Sequence, residues 1–165
     1  MPGGLLVTCL QKPCHTRGSV IFCITDANCA GTPDDFPRGT FTGDMIFVGG
    51  VGYFFEGTGA DMMRAFEAWA QLCPDDTIVF PGHEYAVANY EWSHRVEKTN
   101  PKLVQRLNWA QAERAAGRPC MSTVGEEKET NVFMRAPLLM SVTKTSNPDE
   151  CLGRLRQWKN EKRSS

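Results

Sequence analysis

The spacing of apolar positions changes once along the chain, from short β-like runs to helical periods. Residues 5–8 and 20–25 and the longer run 40–48 are rich in β-branched and aromatic side chains, which predicts strands. A Gly/Pro/Asp-rich loop over 26–39 separates the second run from the third and is long for a hairpin. Glycines 49, 50 and 52 mark a turn after the third run. Beyond Gly59, Met63, Phe66, Ala70 and Cys73 recur at three- and four-residue spacings, which predicts an amphipathic helix over 60–73 that stops before Pro74. A short strand over 77–80 runs into Pro81-Gly82-His83.

Everything after about residue 85 reads as helical. Aromatics are spread along 85–98, and Asn100-Pro101 restarts the chain with proline in a first-turn position. Leu103, Leu107 and Ala110 continue an apolar stripe. A capping-box-like stretch from Ser122 to Glu126 opens another helix, and 149–162 forms the last. The order of strands, helix, strand and then four helices predicts an α/β (α+β) fold, a β-rich unit followed by a helical cap.

Composition narrows the class. The 165 residues, 41% hydrophobic and 22% charged, suffice for one cored domain and are thin for two. Eighteen basic against nineteen acidic residues leave a net charge of −1, so there is no basic field to attract nucleic acid. The longest apolar runs are about a third of the roughly 20 residues that span a bilayer, which argues against a membrane segment. The start of the chain has no basic stretch ahead of an apolar run, so no secretory signal is expected. Seven cysteines without a C-x-x-C pair argue against a disulfide framework or a four-cysteine zinc site. Free thiols in apolar segments fit a reducing compartment, the cytoplasm or a mitochondrial matrix.

Only three histidines are available for acid–base or metal chemistry. His15 stands in Pro13-Cys-His-Thr-Arg-Gly18, a turn before a strand, and His83 in Phe80-Pro-Gly-His-Glu-Tyr85, a turn after one. Asp44 interrupts an apolar β-run, where an ionised carboxylate is costly unless paired or bound to metal. Each alone also reads as an ordinary surface or turn residue. Together they sit at strand ends, where ligands carried on loops collect, and His with carboxylate suits zinc or iron. His94 lies in a polar helical stretch and reads as a surface residue.

The motifs Pro13-Cys-His-Thr-Arg-Gly, Phe41-Thr-Gly-Asp-Met-Ile-Phe-Val-Gly-Gly-Val-Gly, Phe55-Glu-Gly-Thr, Pro81-Gly-His-Glu-Tyr and Asn131-Val-Phe-Met-Arg, in this order, resemble the hydroxyacylglutathione hydrolases (glyoxalase II) of the metallo-β-lactamase superfamily. The resemblance runs from about residue 5 to about residue 160. It implies the C-terminal half of an αββα sandwich, 1–85, followed by a helical glutathione-binding domain, 86–165. It also implies that His15 binds one metal, His83 a second, and Asp44 bridges both as the catalytic carboxylate. Zn2+ would be the cofactor, binuclear in a complete enzyme, with iron or manganese as alternatives. Tyr53, Tyr85, Arg156 and Lys159 map onto the glutathione pocket, and the reaction implied is hydrolysis of S-D-lactoylglutathione to D-lactate and glutathione.

Departures from the family pattern shape the reading. The family's Thr-His-x-His-x-Asp-His motif has no counterpart, since no two histidines lie closer than eleven residues. Each metal is thus offered one His and a shared carboxylate, whereas catalytic zinc takes three protein ligands. Tyr53 stands where the family usually has a basic residue, and Phe55 where it often has tyrosine. The chain is expected to resemble the C-terminal part of the enzyme, with little hydrolysis on its own. It should expose an apolar sheet face bearing Val20, Phe22, Ile24, Ile46 and Val48, and so self-associate or pair with a separate N-terminal half. Two other readings stand beside it, a single-iron persulfide dioxygenase of the same superfamily and a non-catalytic glutathione-conjugate-binding or regulatory protein.

Overall fold

The computed structural model describes residues 3–32 and 34–161. Strands β1 (Leu5–Gln11), β2 (Val20–Asp26), β3 (Gly39–Gly43), β4 (Ile46–Phe47) and β5 (Gly50–Val51) precede helix α1 (Gly59–Leu72) and strand β6 (Ile78–Pro81). Helices α2 (Ala86–Val96) and α3 (Pro101–Ala115), strand β7 (Ser122–Thr123), and helices α4 (Val124–Thr130), α5 (Met140–Thr143) and α6 (Pro148–Glu161) follow. The predicted end of the last helix at residue 162 lies outside the described residues.

Five strands form one sheet in the order β1-β2-β3-β6-β7, and β4 and β5 form a separate hairpin. Strands β1, β2 and β3 pair antiparallel, β3 and β6 pair parallel, and β7 returns antiparallel to β6. Strand β7 corrects the expectation that everything beyond residue 85 is helical. Its two residues, too short to signal a strand by pattern, lie against Ile78 and Val79 and tie the helical half into the sheet.

Helix α1 covers one face of that sheet. It starts at Thr58, whose hydroxyl accepts the Asp61 N–H at 3.2 Å while the Asp61 carboxylate accepts the Thr58 N–H at 2.8 Å, a reciprocal cap typically worth about 1 kcal/mol. Met62, Ala65, Phe66 and Trp69 are its buried positions. Of the predicted stripe, Phe66 and Cys73 are buried, whereas Met63 and Ala70 give way to their neighbours Met62 and Trp69. Burying the Trp69 indole decides the rotation, since it removes far more apolar surface from water than Ala70 would. Its Nε1 donates to the Thr40 hydroxyl at 3.1 Å, which also satisfies a buried threonine on β3.

The opposite face is open. Val7, Phe22, Phe41 and Ile78 are 50, 43, 48 and 42% exposed, and Phe41 stacks on Phe80 at 4.9 Å. Val20 and Ile24 are half-buried beside them, but Ile46 and Val48, expected on this face, are buried in the core. The chain turns at Asp44-Met45, so the residues beyond it leave the sheet and lie beneath the helical half. Cys14, Cys23, Cys73, Cys120 and Cys151 are buried as small core side chains, whereas Cys9 is exposed. Among the described residues, no helix is long and apolar enough to cross a membrane.

Trp69→Ala should destabilise the chain by about 3–5 kcal/mol, because it opens a cavity and strips the Thr40 hydroxyl of its donor. The midpoint of chemical denaturation measures this. A change below about 1 kcal/mol would mean that α1 is not the helix holding this face of the sheet.

Candidate active site

Three turns at one end of the sheet carry the candidate ligands. His15 lies in the β1–β2 turn, Asp44 in the turn that ends β3, and His83 directly after β6. Two of these turns are tied by backbone, since the Gly82 N–H donates to the Gly43 carbonyl at 2.9 Å. Gly43 itself takes φ +52°, a conformation that lets β3 break off sharply at Asp44. Small residues are also needed where chains cross. A Cβ on Gly52 would lie 2.1 Å from the Asp44 carbonyl oxygen and 3.0 Å from His15 Nδ1, and one on Gly82 would lie 2.6 Å from Asp44 Oδ1.

Both imidazoles point at the same carboxylate oxygen. His15 Nε2 and His83 Nε2 each stand 3.5 Å from Asp44 Oδ2. His15 Nδ1 lies 2.9 Å from the Tyr53 carbonyl oxygen, which only accepts, so Nδ1 carries the proton. In the neutral ring the lone pair then sits on Nε2, facing Asp44. A lone pair opposite a carboxylate repels unless a proton or a cation lies between them. Two imidazole nitrogens and a carboxylate oxygen are donors that suit zinc, so this donor set fits a metal centre. It does not complete one: among the described residues no group of three or more His, Cys, Asp or Glu is disposed to hold an ion by itself.

These three residues line a cavity of about 230 Å³ together with Tyr53, Tyr85, Arg156 and Lys159, so the structure brings all of the sequence-derived candidates to one place. Aromatic rings wall it around the two histidines. Tyr85 stacks on His83 at 5.1 Å, Phe47 meets Tyr85 edge-on at 5.3 Å, and Phe55 packs on His15 at 5.1 Å and on Tyr53 at 5.3 Å. His94 does not line this cavity and is half-buried on α2 rather than fully on the surface.

Cationic side chains from α6 also line the cavity. Arg156 and Lys159 are three residues apart and share a helix face. Arg156 is only 5% exposed, and its Nη1 donates to the Val51 carbonyl at 2.9 Å while the guanidinium stands 5.0 Å over the Tyr53 ring. It therefore braces the cavity wall as well as lining it. Lys159 reaches the Asn89 side-chain oxygen, and Asn89 in turn donates to the Val48 carbonyl at 2.9 Å. Asn89 and Phe47 are lining residues that sequence reasoning missed. Neither carries a signal of its own in the sequence: a polar residue in a helix reads as solvated, and a phenylalanine in a β-run reads as core.

Cys14, the neighbour of His15, is no nucleophile. Burial, with the charge of Asp61 adding to it, pushes its thiol up to about 12, and Sγ donates to the Thr58 carbonyl. The thiolate that nucleophilic catalysis needs is thus absent at neutral pH.

Comparison with known proteins adds an independent line. Residues 84–162 match the family described as hydroxyacylglutathione hydrolase C-terminus. The chain is 41% identical over 130 residues to the cytoplasmic hydroxyacylglutathione hydrolase of Arabidopsis thaliana, covering 78% of this chain and 48% of that protein. It is 35% identical over 166 aligned positions to the hydroxyacylglutathione hydrolase of Shewanella halifaxensis (strain HAW-EB4), covering 94% of this chain and 59% of that one. The chain thus spans about half the length of these curated relatives. Among solved structures it resembles a metallo-β-lactamase from Staphylococcus aureus subsp. aureus COL (TM-score 0.53, 23% identity, 94% of this chain and 35% of that one). It also resembles ETHE1 from Myxococcus xanthus (TM-score 0.54, 21% identity, 97% and 48%). At these identities the likeness is one of fold, that of the metallo-β-lactamases.

An incomplete donor set should bind zinc weakly. With a dissociation constant of about 0.1 mM, 0.1 mM zinc stabilises the fold by about 0.4 kcal/mol, a rise of roughly 1–2 °C in melting temperature. A Cys9→Ser background removes the exposed thiol as a competing ligand. A rise of roughly 10 °C that Asp44→Asn abolishes would mean that these residues complete a metal site by themselves.

Proposed function

We propose that this chain, which belongs to the hydroxyacylglutathione hydrolase family of the metallo-β-lactamase superfamily, carries one half of the metal centre and the glutathione pocket of a thioester hydrolase. The observation that carries the proposal is the single cavity lined both by His15, Asp44 and His83 and by Arg156 and Lys159. The reaction is hydrolysis of S-D-lactoylglutathione: water adds to the thioester carbonyl, the C–S bond breaks, and D-lactate and glutathione leave. The working compartment is the cytoplasm, in keeping with the reduced cysteines.

The chain's own residues divide the work. Asp44 presents one oxygen to both imidazoles, which suits a carboxylate that bridges two ions and sets their spacing. The Tyr53 carbonyl keeps His15 in the tautomer whose Nε2 is free to bind, and His83 offers its Nε2 from the opposite side. A zinc pair held here would supply a water acidified toward neutrality and an electrophile for the thioester oxygen. Phe47, Phe55, Tyr53 and Tyr85 surround the two histidines with rings, which strengthens every polar contact made among them. Arg156 and Lys159 supply positive charge for the carboxylates of glutathione, and charge-assisted bonds of this kind are about twice as strong as neutral ones.

The match of residues 84–162 favours the hydrolase over an iron dioxygenase, because it covers the helical segment that carries the thiol-ligand pocket. With one His per metal, the isolated chain binds glutathione but turns over little thioester. The exposed face of Val7, Phe22, Phe41 and Ile78 is where it associates, with a second copy when alone or with an N-terminal half when that is supplied.

Calorimetric titration with glutathione tests the pocket. Lys159→Ala should weaken binding about five- to tenfold with little change in stability, the loss of one charge-assisted contact. Arg156→Ala should weaken it at least as much and also lower the melting temperature, since it unbinds the Val51 carbonyl. Unchanged affinity in both variants would move the pocket elsewhere.

A mixing experiment tests the half-site. The chain alone should sediment as a self-associated species with negligible thioesterase activity. Adding an upstream half that carries the Thr-His-x-His-x-Asp-His motif, with zinc, should give a defined complex that hydrolyses lactoylglutathione. A monomeric chain that is active by itself would contradict both statements.

A further inference from the structure

Among the described residues, the segment from Val48 to Gly52, which links the β4–β5 hairpin to the cavity wall, has almost no backbone partner outside that hairpin. Side chains of the helical half hold it instead. Asn89 donates to the Val48 carbonyl at 2.9 Å, Ser93 to the Gly49 carbonyl at 3.4 Å, Asn131 to the Gly50 carbonyl at 3.0 Å, and Arg156 to the Val51 carbonyl. The one amide in this set, Gly49 N–H, donates to Glu127, whose two oxygens lie 3.1 and 3.0 Å away. Glu127 is fully buried on α4, and Asn131 Nδ2 donates to its Oε2 at 2.8 Å. Gly49 has φ +68°, and a Cβ there would lie 2.7 Å from the Tyr90 ring, so the turn has no room to move aside.

Residues 51–53 carry this grip to His15 and Asp44. Val51 is braced by Arg156, Gly52 presses on Asp44 and His15, and the Tyr53 carbonyl holds His15 Nδ1. A carboxylate buried among apolar side chains is costly and persists where its hydrogen bonds are filled. Glu127 does not line the cavity, and its bond to the Gly49 amide is its link to the hairpin beside it.

We propose that Glu127 is a positioning residue of the site: its carboxylate anchors the β4–β5 turn, and that turn sets Val51, Gly52 and Tyr53 against Arg156 and His15. The inference deepens the glutathione reading and rests on it only for the choice of ligand probe. It also gives the pocket a proton-sensitive support. Burial pushes the Glu127 carboxyl up to about 7, against the lowering effect of Ser122, Asn131, the Gly49 amide and the charge of Arg106. The titratable and charged groups facing it are Tyr90 on α2 and Arg106 on α3, and Arg106 is itself turned to Glu126 at 2.8 Å. Protonation converts one of two acceptor oxygens into a donor, while Gly49 and Asn131 both still donate. The two donated bonds therefore weaken as the pH falls through about 7, while the cost of burying the charge is lifted.

Amide NMR of the whole chain between pH 5.5 and 8.5 reads the anchor directly. The Gly49 amide proton should move with a midpoint near 7, and part of the movement at Gly52 and Tyr53 should follow the same curve. In Glu127→Gln, which keeps the shape and removes the charge, that component should vanish and glutathione affinity at pH 8 should fall about tenfold, the loss of one bond to a charged acceptor. Far-UV circular dichroism should remain unchanged. The wild-type titration needs no variant to fold. If Gly49 alone titrates while Gly52, Tyr53 and the glutathione affinity are unmoved, Glu127 is a purely structural residue and the proposal falls. If the wild type binds no glutathione, the ligand reading has failed, and the Gly52 and Tyr53 amides still decide the role of Glu127.

Discussion

Parallel pairing of β3 with β6 is the constraint from which the site follows. Parallel neighbours end at the same edge of a sheet, so the turn after β3 and the turn after β6 must lie side by side, as the Gly82-to-Gly43 bond records. Strand β2 runs antiparallel to β3, which brings the start of β2, and with it the β1–β2 turn, to that same edge. Three residues far apart in sequence thus meet because of strand direction alone. His15, Asp44 and His83 have no other common element. Ligands of this kind sit on loops whose ends a rigid sheet holds, which is where binding groups generally collect.

The helical half does a different job. Its long helices supply the cationic side chains of the cavity, but their polar side chains also replace the missing backbone partners of the β4–β5 segment. Asn89, Ser93, Glu127, Asn131 and Arg156 each take up a main-chain group of residues 48–51. Buried backbone groups need partners, and here they find them in side chains brought from 40 to more than 100 positions away in sequence. Polar side chains thus tie the helical half to the strand region. Strand β7, contributed from within the helical region, reinforces that union.

What the sequence makes legible is the chemistry at strand ends. Pro-Gly-His announces a turn carrying a polar residue, and it forms directly after β6, whereas the run 40–48, read as one strand, breaks at Asp44. The Thr123 and Glu126 cap of α4 is equally readable, with Thr123 as the capping residue. Phase and pairing are less so. The buried face of α1 is rotated because one tryptophan outweighs an even stripe of smaller residues. Ile46 and Val48 change sides because the turn at Asp44 resets the strand alternation, a one-residue effect that periodicity cannot register. Glu127 and Asn89 are hardest of all, since a polar residue in a helix reads as solvated until its partner across the fold is known.

The turns aim an unprotonated imidazole nitrogen at Asp44. Imidazole nitrogen NMR of the histidine-labelled chain, at a pH where the His15 ring is neutral, reads this placement. The proton should sit on His15 Nδ1, held by the Tyr53 carbonyl, with a free lone pair on Nε2. A proton on Nε2 instead would make the contact an ordinary hydrogen bond to Asp44 and would contradict the metal-ligand reading of the site.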